Sequence, residues 1–360
     1  PPPPPVLTVL ASVQDPAALG GARSVAQQGE WLFVATRDGF TVVSVATPDV
    51  PAVVGTYSSS AYLDGASDVT LSPDATYAYV SVFNSNRLTV MNVANPSSPS
   101  YQGSVASSGV DGWLNGAVGA AVMPSNPNYV LVVASTSRRL TSVDVSNPSA
   151  PALAGSVDGG VSLQGARSLA LSDDGSRAFI ACASGRLTVV SVSDPSSPAV
   201  VGTLQDATQL RGASSIVLRG HYAYVASAGG NSVTVVDVSV STSLQVVGSV
   251  TSSTQLNGVS ALVQSGDSIY VANSDGSTTL IDITNPRSPY VADYTPPTSP
   301  GASSSDVIIA NGNVFTTSGP QSSITVLTPA ASSPPTAPPP ALPPPPPVLT
   351  VLASVQDPAA

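Results

Sequence analysis

A short motif recurs along most of the chain and limits what the chain can fold into. It is a leucine followed by any residue, a glycine and a small residue, and we call it the anchor. Six full copies are Leu19–Ala22, Leu63–Ala66, Leu114–Ala117, Leu163–Ala166, Leu210–Ala213 and Leu256–Val259, and a seventh, Pro300–Ala302, lacks the leucine. Successive anchor glycines lie 43 to 51 residues apart. Seven repeats of this length predict a ring or an array of equivalent supersecondary units.

The segment after each anchor contains four short runs of strand-forming residues. A first apolar run such as Ser214–Leu218 is followed by an aromatic-rich run such as Tyr222–Ala226. A third run such as Leu187–Val192 leads through a proline-bearing turn to a fourth, such as Ala199–Gly202. Short runs of β-branched or aromatic residues bounded by turn residues indicate strands. Four strands per repeat, seven times over, predict an all-β fold, a seven-bladed β-propeller.

Composition agrees with an all-β chain and excludes nucleic-acid binding. Helix-forming residues are scarce, because lysine is absent and Glu30 is the lone glutamate. Only 9% of the residues are charged, and the net charge is −10. A chain without a basic stripe cannot neutralise a row of phosphates, so nucleic acid is not an expected partner.

The third run and its turn resemble a known repeat family. Val143–Pro151, Val190–Pro198 and Ile281–Pro289 are similar to the LVIVD repeat, Val43–Pro51 and Met91–Pro99 fit more loosely, and the fifth copy, at Val236–Ser239, loses the prolines. The resemblance covers about residues 6–328. It implies a β-propeller of the kind found in extracellular and surface-layer proteins, and it supplies no catalytic residue.

The seventh repeat contains only three runs, and the start of the chain supplies a fourth. Residues 6–13 precede the first anchor as the outer strand 155–158 precedes the fourth. We therefore predict that this N-terminal strand closes the last blade, which leaves no unpaired edge inside the ring. The predicted propeller spans residues 6–328.

The two ends of the sequence are the same. Residues 1–18 and 343–360 are identical, at an offset of 342 residues, which indicates tandem copies or a terminal duplication. Because the closing position in this ring is taken, we expect the second strand to close the seventh blade of the next copy, through covalent continuity or strand donation. Head-to-tail copies form filaments unless the rotation closes. This inter-unit strand comprises Val348, Leu349, Thr350, Val351, Leu352, Ala353, Ser354 and Val355, in the segment 348–360.

A proline-rich stretch joins the predicted propeller to that segment. Residues 329–347 predict a polyproline II linker, and residues 1–5 are the end of an equivalent one. The stretch resembles the hydroxyproline-rich glycoproteins of green algae and plants, which implies hydroxylated prolines carrying O-linked sugars. An unmodified stiff spacer is the alternative. The candidate glycosylation sites are Ser332, Ser333, Pro334, Pro335, Thr336, Pro338, Pro339, Pro340, Pro343, Pro344, Pro345, Pro346 and Pro347.

No motif for catalysis, a cofactor or a membrane span stands out. His221 and Cys182 are each single residues, predicted to lie at a surface turn and in the core. Asp64, Asp68 and Asp111 fall near anchors and are a weak candidate for calcium. Two tryptophans, Trp31 and Trp113, are candidates for sugar stacking or for packing. We therefore expect no enzyme.

Two function classes follow from the sequence. The first is a structural subunit of an extracellular, O-glycosylated fibre, cell-wall layer or surface layer, with further copies of the chain as partners. The second is an extracellular binding module for a carbohydrate or protein ligand, presented on a glycosylated stalk.

Overall fold

The structure is a computed structural model that describes residues 7–107, 112–297 and 301–329. It contains 28 β-strands and one short 3₁₀ helix, Ala228–Gly230, within those residues. No helix in the described part is long and apolar enough to cross a membrane. The strands are β1 (Leu7–Gln14), β2 (Ser24–Gln28), β3 (Trp31–Thr36), β4 (Gly39–Ser44), β5 (Ala52–Ser58), β6 (Ala66–Leu71), β7 (Tyr77–Val82), β8 (Arg87–Asn92), β9 (Ser100–Ala106), β10 (Ala117–Val122), β11 (Tyr129–Ala134), β12 (Arg139–Asp144), β13 (Ala152–Asp158), β14 (Ala166–Leu171), β15 (Arg177–Cys182), β16 (Arg186–Ser191), β17 (Ala199–Gln205), β18 (Ala213–Arg219), β19 (Tyr222–Ser227), β20 (Ser232–Asp237), β21 (Gln245–Thr251), β22 (Val259–Ser265), β23 (Ser268–Asn273), β24 (Thr278–Asp282), β25 (Tyr290–Thr295), β26 (Asp306–Ala310), β27 (Asn313–Ser318) and β28 (Ser323–Pro329).

These strands form seven four-stranded antiparallel sheets, the blades of a β-propeller. Blade one is β2-β3-β4-β5, and blades two to six follow in the same order, up to β22-β23-β24-β25. Blade seven is β26-β27-β28-β1, with β1 outermost. The innermost strands contact their neighbours all the way round, including β2 with β26, so the ring is closed. The predicted seven-bladed fold is confirmed.

The N-terminal strand closes the last blade, as the sequence predicts. Strand β1 pairs antiparallel with β28, from Leu7 opposite Pro329 to Gln14 opposite Ser323. A bulge lies between Val9 and Ala11, where the register shifts. Strand β28 runs to Pro329, one residue beyond the predicted end of the propeller.

The core lies between blades rather than inside any one of them. Phe33 and Phe40 of blade one pack with Val80 and Met91 of blade two, and equivalent clusters repeat around the ring. All six anchor leucines are fully buried at these boundaries. A blade covered on both faces needs apolar residues on both faces, which explains the near-continuous apolar runs. Each fully buried leucine contributes about 2 kcal/mol.

The proline turns also hold neighbouring blades together. In blade four, Asp194 starts the turn by accepting a hydrogen bond from the N–H of Ser196 at 2.9 Å. A Cβ placed on Gly155 of blade three would lie 2.6 Å from the Ser196 carbonyl carbon. The turn therefore packs directly on a glycine of the preceding blade, and no larger residue fits there.

Several predicted features lie outside the described residues. They are residues 1–5, the linker from residue 330 onward with all its glycosylation candidates, the inter-unit strand 348–355, Asp111, and residues 298–300.

Candidate functional site

The innermost strands line a central channel with two rows of side chains. The row at the mouth directly follows the anchor in blades one to six and begins three residues after it in blade seven. We call it the mouth ring: Arg23, Ser67, Val118, Arg167, Ser214, Ser260 and Ser305. The row one residue further along is the clamp ring: Ser24, Asp68, Ser168, Ser215, Ala261 and Asp306. In blades one to six, both rows follow from the anchors, because each anchor leads directly into an inner strand.

Two arginines dominate the mouth of the channel. The mouth is a cavity of about 630 Å³ lined by the whole mouth ring. Arg23 belongs to blade one and Arg167 to blade four, so they occupy nearly opposite positions of the ring, and both side chains are exposed. Neither guanidinium forms an ion pair within the described residues. Two free cations over hydroxyl-lined walls are suited to an anionic ligand.

Asp68 in the clamp ring joins three blades. Its carboxylate accepts hydrogen bonds from Ser24 Oγ of blade one at 2.7 Å and from the N–H of Ala120 of blade three at 2.8 Å. It also accepts one from the N–H of Val69 at 2.9 Å. Desolvation raises the pKa of Asp68 above its ordinary value, and these hydrogen bonds oppose the rise. The group is therefore an inter-blade clamp.

Asp306 does the same at the boundary between blades seven and one. Its carboxylate accepts hydrogen bonds from the N–H of Val25 at 2.9 Å and of Val307 at 2.8 Å. Burial, with a smaller contribution from the negative charge of Asp68, raises the pKa of Asp306 to about 6. The inner strands of the last and the first blade are thus joined through an ionisable group.

Serine hydroxyls repeat the clamp elsewhere in the ring. Oγ of Ser67, Ser214 and Ser260 each donates to a backbone carbonyl of the next blade, those of Ala117, Val259 and Ser304, at 2.8 to 2.9 Å. These hydroxyls face the channel mouth, yet they are already engaged in holding blades together.

A threonine near the start of the third strand was not singled out from the sequence. Its hydroxyl donates to the carbonyl of the residue before the anchor leucine of its own blade. For Thr141 the acceptor is Trp113 at 2.8 Å, and for Thr188 it is Ser162 at 2.6 Å. The same bond is made by Thr41, Thr89, Thr234 and Thr279. The available signal was an apolar residue before and a valine after the threonine, a pattern found at four of the six: Thr41, Thr89, Thr188 and Thr234.

The closing seam of blade seven brings the two ends of the described chain together. Leu7 and Pro329 are opposite partners at one end of the β1–β28 pair. Asp293 of blade six, which stands where blades one to five have a glycine, accepts a hydrogen bond from the N–H of Leu7. Thr295 Oγ1 donates to the carbonyl of Leu7 at 2.9 Å. The chain therefore enters and leaves the ring side by side, against blade six.

The two proposed calcium ligands within the described residues, Asp64 and Asp68, are held by different hydrogen bonds. Asp64 accepts a hydrogen bond from Asn84 Nδ2 at 2.8 Å, whereas Asp68 is held by the clamp contacts, and Asp111 lies outside the described residues. In the described part of the chain, no group of three or more His, Cys, Asp or Glu residues is placed to hold a metal ion.

The other single residues lie where the sequence suggests. Cys182 is buried between blades, and burial raises the pKa of its thiol to about 12. His221 is exposed at the turn before β19. Trp31 is partly buried against the boundary of blades one and two. Trp113 is partly buried beside the anchor of blade three.

Comparisons with known proteins give a family match and a fold match. The LVIVD repeat model matches residues 19–59, 65–107, 125–159, 165–206, 211–252 and 259–293, which together are roughly two thirds of the chain. These ranges fall one in each of blades one to six. A comparison with curated proteins finds no match.

Among solved structures, the chain is similar to the Cps50 (Swd1) β-propeller domain of Myceliophteria thermophila. The TM-score is 0.68 at 10% sequence identity, and the alignment covers 89% of this chain and 99% of that one. A likeness at this level of identity concerns the fold alone.

Proposed function

The chain belongs to the LVIVD repeat family, and from this premise we propose that it is a structural subunit of an extracellular fibre or surface layer built from β-propellers joined head to tail. The carrying observation is that β1, which completes a closed ring, is repeated at residues 349–356. One ring has one edge for this strand. The second copy therefore needs a second ring, whether within one long polypeptide or between separate chains.

The position of the chain ends supports the same function. Because Leu7 and Pro329 lie side by side, an incoming and an outgoing linker meet at one edge of blade seven. Successive rings are then connected without any rearrangement of a blade. Each ring remains complete, so a fibre retains folded units along its whole length.

The linker supplies the second part of the proposal. We propose O-linked sugars on residues 329–347, which would protect a proline-rich rod and keep a weakly charged protein in solution. Only 9% of the chain is charged, so ionic groups contribute little to its solubility.

Electron microscopy of the native material tests the fibre. We expect filaments with a repeating bead of propeller size. Dispersed single beads would overturn the proposal. Mass spectrometry of the peptide spanning residues 329–347 tests the sugar, and hydroxyproline without attached pentose or hexose would reduce the linker to a bare spacer.

A binding module is the second candidate, and the channel mouth favours it. Arg23 and Arg167 are exposed, lack ion pairs in the described structure, and face one cavity. Calorimetric titration with glucuronate, with glucose as the neutral probe, tests this function. Binding of glucuronate alone, lost in a double variant Arg23→Ala and Arg167→Ala but kept in Arg177→Ala and Arg287→Ala, would support it. Absence of heat with both probes would remove it.

A further inference from the structure

The strand directions divide the charged residues between two faces of the ring. Inner strands begin on the face that carries the anchor loops and the turns between second and third strands. We call this the arginine face, and the opposite face, with the remaining turns, the aspartate face. Eight arginines lie on the arginine face: Arg23, Arg37, Arg87, Arg138, Arg139, Arg167, Arg186 and Arg211.

Acidic residues have the opposite distribution. The arginine face carries six, namely Asp15, Asp38, Asp64, Asp158, Asp206 and Asp275. The aspartate face carries ten, namely Glu30, Asp49, Asp74, Asp144, Asp173, Asp174, Asp194, Asp237, Asp267 and Asp282, against three arginines, Arg177, Arg219 and Arg287. Counted over these residues, the formal charge is +2 on the arginine face and −7 on the aspartate face. Three further described carboxylates are assigned to neither face: Asp68 and Asp306 lie in the channel behind the mouth ring, and Asp293 lies within β25.

Local hydrogen bonds keep the aspartate face negative. Five of its carboxylates have lowered pKa values. For Asp282, burial raises the pKa but hydrogen bonds from Thr284 and Tyr290 outweigh it. For the other four, the largest cause is a hydrogen bond from a serine hydroxyl two residues away. They are Asp74 with Ser72, Asp174 with Ser172, Asp194 with Ser196, and Asp237 with Ser239. The pKa of Asp174 falls to about 2. These carboxylates therefore stay ionised further into the acid range than an ordinary aspartate.

The arginine face has cations free to take a partner. Within the described residues, the single ion pair on this face joins Arg139 to Asp158 at 3.1 Å. Arg138 and Arg211 are exposed and form no ion pair there. On the opposite face, Asp49 and Asp173 are exposed and likewise form none.

We propose that the arginine face of one copy docks on the aspartate face of the next copy. This inference rests on the proposed function and names the surfaces that the subunits use. Two aspartate faces would repel each other, and two arginine faces would gain nothing, so the charges favour opposite faces. Contact between two different surfaces of identical subunits is heterologous and produces a filament.

The chain ends are compatible with this stacking. Both Leu7 and Pro329 lie at strand ends on the aspartate face. The next copy of Leu7 is Leu349, and 19 residues separate it from Pro329. As polyproline II these residues reach up to about 60 Å. A six-residue strand spans about 20 Å, so the linker can pass along the flank of one ring, turns included, to the aspartate face of the next.

Charge reversal on the full 360-residue chain tests the docking. The first variant carries Arg138→Asp and Arg211→Asp on the arginine face. The second carries Asp49→Arg and Asp173→Arg on the aspartate face. We expect each alone to associate about tenfold more weakly than the original chain in sedimentation equilibrium at low salt. An equimolar mixture should recover association in pairs, because the intact aspartate face of the first variant then meets the intact arginine face of the second.

A matched control separates docking from general repulsion. Arg177→Asp with Arg287→Asp changes the net charge by the same amount as the first variant, but on the aspartate face. Docking predicts unchanged or tighter association, whereas repulsion by net charge predicts the same loss in both. Equal loss in both variants, or a mixture that does not recover, would overturn the docking.

The outcome is independent of the fibre test. If the native material forms filaments but association depends neither on salt nor on either charge reversal, the docking proposal is wrong and the proposed function stands. Charge-dependent recovery in the mixture, together with native material that contains only single beads, would remove the proposed function and leave the docking. Circular dichroism of each variant establishes that it is folded.

Discussion

Blade four and blade seven have the same four antiparallel strands and the same outer bulge, but they hold their outer strand differently. In blade four, β16 continues into β17 through a short proline turn that packs on Gly155 of blade three. In blade seven, the inner neighbour and the outer strand come from opposite ends of the described chain. Blade six correspondingly has Asp293 in place of the glycine, and this carboxylate binds the N–H of Leu7.

The difference shows that an outer strand can pair with the free edge of the third strand without a covalent turn between the two. Strand β1 is mostly exposed, and only Leu7 of its eight residues is buried. Its attachment therefore depends on backbone hydrogen bonds to β28 more than on apolar burial. A strand held in this way can equally be supplied by another part of a long chain, or by another molecule.

Removal of every copy of the closing strand has the largest expected effect. Seven residues of β1 pair with β28, so a chain limited to residues 15–347 loses about 5 kcal/mol of unfolding free energy. Guanidinium denaturation measures the loss. A synthetic peptide of residues 6–15 in excess restores stability, and a scrambled peptide does not. If the truncated chain had the same denaturation midpoint as the original chain, β1 would not stabilise blade seven as described.

An anchor leucine comes next, because its loss makes an internal blade resemble the seventh, whose anchor lacks the leucine. Leu163 is fully buried, so Leu163→Ala leaves a cavity and lowers the unfolding free energy by about 4 kcal/mol. Val161 is 64% exposed, and Val161→Ala is the control, with an expected change below about 0.5 kcal/mol. Similar losses of unfolding free energy in the two variants would mean that burial of the anchor leucine does not stabilise the blade.

Substitution of Gly155 and of Asp293, which occupy equivalent positions in the outer strands of blades three and six, extends the comparison. Gly155→Ala places a Cβ 2.6 Å from the backbone of Ser196 and destabilises by about 3 kcal/mol. Asp293→Gly has space, loses only the bond to Leu7, and costs about 1 kcal/mol. Chemical denaturation compares both with the original chain. If Asp293→Gly lowered the unfolding free energy more than Gly155→Ala, the close packing of the proline turn on the glycine would not be the stronger contact.

The smallest expected effect depends on pH and concerns Asp306, which joins the inner strands of blades seven and one. The folded-state pKa of Asp306 is raised to about 6 from 3.8, so between these values the folded protein binds more protons than the unfolded chain. Stability therefore falls as pH rises from about 4 to 6. The shift corresponds to about 2 kcal/mol once exposure to channel water is allowed for.

Asp306→Asn isolates this contribution. In this variant, the unfolding free energy should fall much less between pH 4 and pH 7 than it does in the original chain. The remaining decline belongs to Asp68, whose pKa is also raised by burial. A pH dependence of the unfolding free energy that is the same in the original chain and in the variant would show that Asp306 does not titrate as described.

The blades were predictable because their signals are local. Asx-Pro turns, glycine anchors and alternating runs each determine structure within a few residues, and the matched repeats of blades one to six confirm them. The closing strand was also predictable, since the seventh repeat lacks a fourth run and Val6–Val13 matches one. The glycosylated linker and the fibre remain predictions.

The inter-blade contacts were less accessible from the sequence. Thr188 looked like one more strand residue, and only the fold shows that its hydroxyl reaches Ser162 before the anchor. Asp68 was assigned to a weak calcium site, whereas its carboxylate clamps three blades. Spacing along the chain does not reveal which hydroxyl or carboxylate meets an orphan backbone group in a neighbouring blade.

The sequence by itself determined seven blades, their strand order and the strand that closes the ring, because turn chemistry and apolar runs act over short distances. Only the tertiary structure decided what the ring brings together. Closure places Asp306 beside Val25, Arg23 across a cavity from Arg167, and the arginines and aspartates on opposite faces. The physical reason is that strand direction alternates within each blade, so the face on which a charge lies depends on topology and not on its neighbours in the chain.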